Sequence, residues 1–283
     1  GKQKGTTPRQ EDDIPFFKTG VFNDTTTGAP LMLLFENNNT RSGDYEKQRA
    51  VPRPGHADFV ANKKFGGFED YRGGGHFSGR LTAGLVGAGV VAKKLLKGIE
   101  IQASILSIGG ETDLEKGLQN AIDQKDSVGG IVECVVKGLP IGLGEHFFNS
   151  VESLISHAVF SIPAIRGIEF GTGFAAANMF GVEHNDAIID GTGKTKTNHA
   201  GGVVGGYTNG NDLVFRIAVK PTSSTPKLQQ TWNWETNEQE DFSVKGRHDL
   251  CIALRVPVVL EAVTAMVIAD LMLIDQRVPR IIK

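Results

Sequence analysis

A C-terminal tract that is apolar on every side sets the strongest limit on how this chain can fold. From Val256 to Leu273 the sequence VPVVLEAVTAMVIADLML contains two charged residues, and its length and composition predict a helix. A helix with apolar residues all around its axis is stable only when it is buried. We therefore expect this helix to lie inside the fold, with other elements packed against more than one of its sides.

Two more apolar helices are predicted, and each is followed by a similar strand. The first spans Leu81 to Lys97 and ends at Gly98, and the second spans Val151 to Ile162. The strands after them begin with KGIEI at 97–101 and RGIEF at 166–170. Ordinary reuse of helix–glycine–strand units in an α/β protein explains this pair, and so does an internal pseudo-repeat. The second interpretation gives the fold class that we predict, an α/β protein built as a β-α-β sandwich with apolar helices between antiparallel sheets.

The remaining regular elements are short and follow one another closely. LMLLFEN at 31–37, IEIQASILSIGG after Gly98, GGIVECVVKGLP and GIEFGTGF predict strands, and Leu114 to Gln124 predicts a short helix. No stretch with the composition of a linker divides these elements. We therefore expect residues 1–283 to form a single domain.

Composition and charge argue against several classes of protein. The net charge is −2 at pH 7, which is not the basic field that nucleic-acid binding needs. The longest apolar tract is interrupted by charged residues, so we predict no membrane span. Cys134 and Cys251 are too few for a disulfide framework, and no secretory signal pattern is present. We therefore predict a reduced, cytoplasmic location.

The stretch YRGGGHFSGR, residues 71–80, places two arginines around three consecutive glycines. From Arg53 to Arg80, five lysines and arginines stand against three aspartates and glutamates, so this part of the chain is locally positive. Glycines let a ligand approach the backbone closely, and arginines bind anions with charge-assisted hydrogen bonds. The stretch therefore predicts a local anion-binding site.

Four polar segments rich in glycines or hydroxyls are candidates for that site. They are RPGHAD (53–58), DYRGGGHFSGR (70–80), NHAGGVVGG (198–206) followed by KPTSS (220–224), and GRHD (246–249). Each alone also fits a plain structural role, such as a strand-to-turn junction, a tight hairpin, a structural histidine or a solvated surface. Walker A and GxGxxG loops are absent, and the histidines lack the spacing of a metal site. Together the segments predict a polyanionic ligand held by backbone N–H groups and cations.

In order and spacing, these segments resemble the chorismate synthase family. The resemblance extends over essentially the whole chain and rests on RPGHAD, FxxxKKFG, DYRGGG, Arg80, AKK, GLGE, NHAGGxxGG, KPTSS and GRHD. It implies an enzyme that converts 5-enolpyruvylshikimate 3-phosphate to chorismate and phosphate by 1,4-anti elimination, with reduced FMN. It also implies a cytoplasmic homotetramer, and NADP where a member of the family reduces its own flavin. Substrate and flavin are both anionic, which accounts for the arginines around the glycine run.

The resemblance also assigns roles to individual residues. His56 would act near the flavin ring, and Asp249 would act as a proton relay near flavin N5. The residues expected to bind the substrate are Arg53, Arg80 and Arg247. The residues expected to bind FMN are His76, Phe77, Ser78, Pro163, Ala164, Gly205, Lys220, Pro221, Thr222, Ser223, Ser224 and again Arg247.

The chain departs from the common family pattern in several places, two of which bear most on the site. After the three glycines the family usually has Arg-Ser-Ser-Ala-Arg-Glu, whereas this chain has HFSGRL at 76–81, so an imidazole and a phenyl ring replace an arginine and a hydroxyl. Family members also begin with a strand that carries Phe-Gly-Glu-Ser-His-Gly, whose histidine would protonate the departing phosphate. We expect that N-terminal strand region to be missing from the 283 residues.

Two other functions stay open at this stage. A non-catalytic protein that binds flavin or another anion on the same fold would not need that histidine. A redox flavoenzyme would need a nicotinamide site, and no dinucleotide-binding fingerprint is visible in the sequence. The leading hypothesis is the flavin-dependent lyase.

Overall fold

The computed structural model describes residues 4–6, 13–36, 49–244, 248–279 and 282. In chain order the strands are β1 (Pro15–Thr19), β2 (Val21–Phe22), β3 (Thr25–Thr26), β4 (Met32–Phe35), β5 (Glu100–Ile108), β6 (Gly130–Lys137), β7 (Ile165–Phe170), β8 (Val203–Val204), β9 (Tyr207–Thr208), β10 (Leu213–Val219), β11 (Gln229–Asn233) and β12 (Glu238–Phe242). The helices are α1 (Asp58–Phe65), α2 (Thr82–Leu95), α3 (Leu114–Gln124), α4 (Val151–Val159), α5 (Gly181–His184) and α6 (Val256–Ile274).

A four-stranded sheet forms the centre of the fold. Its strand order is β5–β6–β10–β7, and every neighbouring pair is antiparallel. Residues of β10 alternate between buried and half-buried, because successive side chains of a strand point to opposite faces of the sheet. Phe215 of β10 is fully buried and lies opposite Cys134 of β6 on one side and Phe170 of β7 on the other. The face that carries Phe215 is therefore the inner wall of the hydrophobic core.

Helix α6 packs against the inner face of this sheet, as its apolar sequence predicts. Leu260 and Ala265 are fully buried, and the hydroxyl of Thr264 lies 3.9 Å from Sγ of Cys134 in β6. By length and composition alone, Ile252–Ile274 could also cross a membrane, but 56% of its most apolar window is buried inside the fold. The expected burial of the C-terminal helix is confirmed.

One charged residue of α6 faces other parts of the fold and is fully partnered. Glu261 accepts a hydrogen bond from the backbone N–H of Ala103 at 3.0 Å, and it forms an ion pair with Lys93 of α2. A half-buried carboxylate is tolerated when such donors compensate its lost hydration. Glu261 therefore ties α6 to both β5 and α2.

Helix α2 lies directly against α6. A Cβ atom added at Gly89 would lie 2.3 Å from Cβ of Ala262, so the two helices are closer there than a side chain allows. On another side, α2 meets the two-stranded ribbon β1–β4, where a Cβ at Gly87 would lie 3.1 Å from the ring of Phe35. The helices thus have the central sheet on one side and this ribbon on another.

The two helix–strand units seen in the sequence lie at opposite edges of the central sheet. Helix α2 precedes the edge strand β5, and α4 precedes the other edge strand, β7. The predicted mixture of helices and sheets is confirmed. The pseudo-repeat and the full sandwich stay predictions, since the described residues beyond the helices form a ribbon of two strands.

Two of the predicted helices extend further than the observed ones. The helix expected over Leu81 to Lys97 stops at Leu95, because Leu96 leaves the helical region and turns into the core, where it is 4% exposed. The helix expected over Val151 to Ile162 stops at Val159, ahead of a proline that disfavours helical backbone in the residue before it. The helix expected over Leu114 to Gln124 is confirmed, with Asp113 as its N-cap.

Candidate active site

The segment RPGHAD forms a loop that leads into α1, and its charged side chains meet. Asp58, the first residue of α1, accepts hydrogen bonds from Arg53 at 2.7 Å from Nε and 2.8 Å from Nη2. Its Oδ1 also lies 2.6 Å from Nδ1 of His56. The side chains of Arg53 and His56 are 14% and 17% exposed. Two predicted site residues are therefore held by one carboxylate to which the sequence analysis gave no role.

Asp58 stays ionised in this cluster. Burial alone would raise the pKa of Asp58, but hydrogen bonds from Arg53 and His56 outweigh burial and hold that pKa well below its ordinary value. The carboxylate neutralises much of the charge of Arg53. It also holds the His56 ring through Nδ1, while Nη2 of Arg53 lies 3.3 Å from Nε2 of the same ring.

Three of the predicted site segments meet beside this loop. The backbone N–H of Lys220 donates to the carbonyl oxygen of Ala164 at 2.9 Å, and Nζ of Lys220 donates to the carbonyl oxygen of Gly55 at 2.9 Å. A Cβ at Gly55 would lie 3.8 Å from Cβ of Ser223. Segments that are far apart in the sequence, SIPA, KPTSS and RPGHAD, therefore form one site.

The backbone at Ala164, which follows Pro163, has an unusual conformation. Its φ is +74°, in a region that residues with a Cβ rarely adopt. Such conformations persist where the surrounding structure fixes them, and they are common at ligand sites. The resemblance predicted both residues as FMN contacts, and the unusual backbone lies where Lys220 bonds to Ala164.

The rest of KPTSS is anchored to the loop before β6. The carbonyl oxygen of Thr222 accepts a hydrogen bond from the hydroxyl of Ser127 at 2.7 Å. Ser224 is 8% exposed, whereas Pro221 is exposed and Thr222 and Ser223 are half-buried. The segment is thus held firmly while its middle residues remain accessible from the site.

The glycine run forms a tight 3₁₀ turn. Gly75 has a φ of +51°, and a Cβ there would lie 2.2 Å from the carbonyl oxygen of Asp70, so the turn requires glycine. The guanidinium of Arg72 pairs with the carboxylate of Asp70 at 2.7 Å. Ser78 accepts a hydrogen bond from the backbone N–H of Arg80 at 3.3 Å, and Arg80 is exposed just before α2. The position of Gly75 is explained by turn geometry, without any ligand.

A cavity of about 400 Å³ lies between the glycine run and α1. It brings together the predicted substrate residue Arg53 and the predicted FMN residues His76 and Phe77. Cavities of this size with an apolar lining and a few polar groups are typical of small-molecule sites. The other lining residues are Arg49, Val51, Asp58, Ala61, Phe65, Phe68, Glu69, Asp70, Tyr71 and Trp234.

Several of these lining residues were missed by the sequence analysis, among them Arg49 and Trp234. Arg49 lies 5.0 Å from the centroid of the Tyr71 ring and donates to the carbonyl oxygen of Gly67 at 3.2 Å. Trp234 comes from the turn of the β11–β12 ribbon, and its ring is 6.2 Å from that of Phe59. No motif contains them. The available signal was a tryptophan within an otherwise polar segment.

The segment GRHD reaches the same region. Arg247 lies outside the described residues, so its predicted role remains untested. His248 is half-buried, and its pKa is lowered first by burial and then by the positive charge of Arg53. Asp249 is 17% exposed and forms an ion pair with Arg255 at 2.9 Å. His248 had no role in the sequence analysis.

The structure places the predicted FMN residue Gly205 away from the site formed by Gly55, Ala164 and Lys220. It lies in the turn between β8 and β9. The nearby Gly202 packs against the carbonyl oxygen of Asp212, just before β10, whereas Lys220 directly follows β10. This strand has seven residues, roughly 20 Å at about 3.3 Å per residue. Gly205 and Lys220 therefore lie at opposite ends of the sheet, and the role of Gly205 stays a prediction.

The chain is similar to known proteins along almost its entire length. A family model described as chorismate synthase matches residues 1–273. A chorismate synthase of Chitinophaga pinensis is 73% identical over 281 residues, which cover 99% of this chain and 85% of that protein. A chorismate synthase of Dehalococcoides mccartyi (strain BAV1) is 42% identical over 314 residues, which cover 100% of this chain and 86% of that protein. A crystal structure of a chorismate synthase superposes with a TM-score of 0.69 at 26% identity, over 92% of this chain and 78% of that one.

Proposed function

This chain belongs to the chorismate synthase family, whose members are lyases of the shikimate pathway that act on a small molecule. From this membership we propose which ligands the chain binds and which residues carry out its reaction. The reaction is the conversion of 5-enolpyruvylshikimate 3-phosphate to chorismate and phosphate by 1,4-anti elimination, and the cofactor is reduced FMN. The observation that carries the assignment of the site is the meeting of Ala164, Lys220 and Gly55 beside the Arg53–His56–Asp58 cluster.

The residues at this place fit a flavin mononucleotide. The ammonium of Lys220 and the accessible hydroxyl of Ser223 suit its phosphate and ribityl groups. The neighbouring cavity has a lining rich in aromatic side chains, among them Phe77, which suits a planar ring. These observations support FMN, and the predicted contacts of Pro163, Pro221, Thr222 and Ser224 follow from the same placement.

The chain's own residues would bind, orient and handle protons. When bound, reduced FMN supplies electron density that assists the loss of phosphate without net oxidation. Arg53 binds the anionic substrate from a position fixed by Asp58, and His56 presents Nε2 as a proton acceptor or donor. Asp249, held by Arg255, is the proposed relay for the proton that leaves the substrate.

Assembly and location extend this proposal. We propose a cytoplasmic homotetramer. Several aromatic side chains support an interface between subunits because they are 80–91% exposed in the single chain, namely Phe147, Phe148, Phe174 and Phe180. Light scattering coupled to size-exclusion chromatography measures the assembly, and a monomer at micromolar concentration would contradict this part of the proposal.

Anaerobic turnover tests the activity. The full-length gene product is mixed with dithionite-reduced FMN and 5-enolpyruvylshikimate 3-phosphate, and chorismate absorbance is followed. We expect chorismate to form with no net oxidation of the flavin. Binding of flavin without turnover would favour the non-catalytic alternative, and net flavin oxidation coupled to turnover would favour a redox enzyme.

A variant of the proposed relay sharpens this test. We expect Asp249→Ala to lower turnover strongly while FMN binding persists. Near-normal turnover with tight FMN binding would remove Asp249 from the mechanism.

A further inference from the structure

Two cations lie close together beside the loop of Gly55. Arg166 is the second residue of β7, and Lys220 directly follows the neighbouring strand β10, whose Val219 pairs with Ile165. The backbone N–H of Lys220 donates to the carbonyl oxygen of Ala164 at 2.9 Å, so Lys220 lies beside the residue two positions before Arg166. Burial lowers the pKa of Lys220, and the positive charge of Arg166 lowers it further, in keeping with this placement. Within the described ranges, no carboxylate forms an ion pair with either side chain.

Other arginines of this region have their charge cancelled within the protein. Four of them have a carboxylate partner: the pairs are Arg53–Asp58, Arg72–Asp70, Arg216–Glu169 and Arg255–Asp249. Arg49 donates to a backbone carbonyl and stacks on a tyrosine ring. Arg166 is exposed and has no hydrogen-bond partner in the part of the chain that the structure describes. Its charge is therefore available to an incoming anion.

We propose that Arg166, together with Lys220, binds a phosphate monoester, which makes Arg166 a further ligand-binding residue of the site. A phosphate monoester carries close to two negative charges at pH 7, so it balances two cations where a single carboxylate would leave one uncompensated. The planar guanidinium donates to two phosphate oxygens at once, and Lys220 supplies a point charge. The half-buried hydroxyls of Thr222 and Ser223 lie in the same segment as Lys220 and can donate to a third oxygen.

This inference rests on the proposed function, in which both ligands carry a phosphate monoester. One is the phosphate of FMN, and the other is the 3-phosphate that the substrate loses. The chemistry at Arg166 is the same for both, so the source has to be distinguished by comparing each ligand with its analogue that lacks phosphate.

Flavin binding gives the first comparison. The dissociation constants of FMN and of riboflavin are measured from the quenching of flavin fluorescence, for the wild-type protein, Arg166→Gln and a control, Lys137→Gln. Lys137 is an exposed cation at the end of β6. We expect Arg166→Gln to weaken FMN binding about tenfold or more, as expected for loss of a charge-assisted pair, and to leave riboflavin binding unchanged. Lys137→Gln should leave both constants unchanged, and Arg166→Lys should fall between Arg166→Gln and wild type.

Substrate binding gives the second comparison. Calorimetry measures the affinities of 5-enolpyruvylshikimate 3-phosphate and of 5-enolpyruvylshikimate for the same variants. Arg166→Gln could weaken binding of the phosphorylated compound alone and leave the preference for FMN over riboflavin unchanged. That result would show that Arg166 binds the phosphate of the substrate, and it would support the proposal.

Two results would overturn the inference. In the first, Arg166→Gln changes neither preference for a phosphorylated ligand. In the second, it weakens the binding of phosphorylated and unphosphorylated ligands equally, which would mean that Arg166 supports the fold of the site. Thermal unfolding of each variant checks for a loss of stability. A wild-type protein that binds neither FMN nor the substrate would instead refute the proposed function.

Discussion

Asp58 shows how one residue organises the site. Its carboxylate accepts three hydrogen bonds from Arg53, from the backbone N–H, Nε and Nη2, and also contacts Nδ1 of His56. In Asp58→Asn both partners lose a charged acceptor, which typically costs about 1.5–3 kcal/mol. We expect the free energy of unfolding to fall by about 2 kcal/mol in urea denaturation at pH 7. Asp70→Asn is the matched control, because its ion pair with Arg72 is exposed and should contribute much less.

The pH dependence of that loss identifies its cause. The pKa of Asp58 in the folded protein is well below the ordinary value of 3.8, so the carboxylate stabilises the fold fully above that value. Its contribution is lost as the pH falls through the lowered pKa of the folded state. The difference between wild type and Asp58→Asn should therefore be constant between pH 7 and 5 and smaller at pH 3. A difference unchanged at pH 3 would attribute the loss to packing.

Residue-level prediction from the sequence was possible where a motif is contiguous. RPGHAD and KPTSS pointed to His56, Arg53 and Lys220, and the structure places the two segments in contact. Asp58 and Arg166 were given no role, because their importance depends on which partners surround them. Whether a charged side chain has an ion-pair partner depends on residues that are distant in the sequence, and no local sequence pattern predicts it.

At the level of elements, the contact between α2 and α6 depends on a missing side chain. A Cβ at Gly89 would lie 2.3 Å from that of Ala262, whereas a Cβ at Gly84 in the same helix meets nothing within 4 Å. Gly89→Ala forces the helices apart, and overpacking of this kind costs about 1–3 kcal/mol. Gly84→Ala should instead stabilise the protein by up to about 1 kcal/mol through helix propensity.

Thermal and urea unfolding of the two variants measure this pair. Opposite signs for the same substitution in one helix would confirm that α2 touches α6 at Gly89. Stabilisation by both would mean that the helices do not approach so closely. Because the two changes are chemically identical, differences in the unfolded chain largely cancel.

The elements themselves were predictable from periodicity, but their neighbours were not. The tract from Val256 was correctly predicted as a buried helix because no amphipathic surface position exists for it. In contrast, β6 pairs with β10 although α4, β7, α5, β8 and β9 lie between them in the chain, and no pattern in either strand specifies that partner. The exit of Leu96 from its helix likewise depends on a tertiary contact, since it turns into the core.

For the whole molecule, the distribution of charge differs from what composition suggests. The sequence has a net charge of −2 and a locally positive segment around the glycine run. In the folded chain, carboxylates cancel Arg53 and Arg72 in that segment, while the pair Arg166 and Lys220 stands without one among the described residues. The predicted anion site is thus supported most strongly at the end of the central sheet, next to the glycine run's cavity.

The two cysteines report on the stability of the whole molecule. Both are 0% exposed; burial raises the pKa of Cys134 to about 12 and also raises the pKa of Cys251. Because the thiolate is the reactive form, we expect neither to react with a thiol reagent such as Ellman's reagent at pH 8 in the folded protein, and both to react in urea.

Cys134 lies on an inner strand of the sheet beneath Thr264 of α6, so its labelling requires global opening and should follow the unfolding curve. Lys137→Cys, exposed on the same strand, is the control that should react at once. Rapid labelling of Cys134 in native buffer would show that α6 separates from the sheet without unfolding.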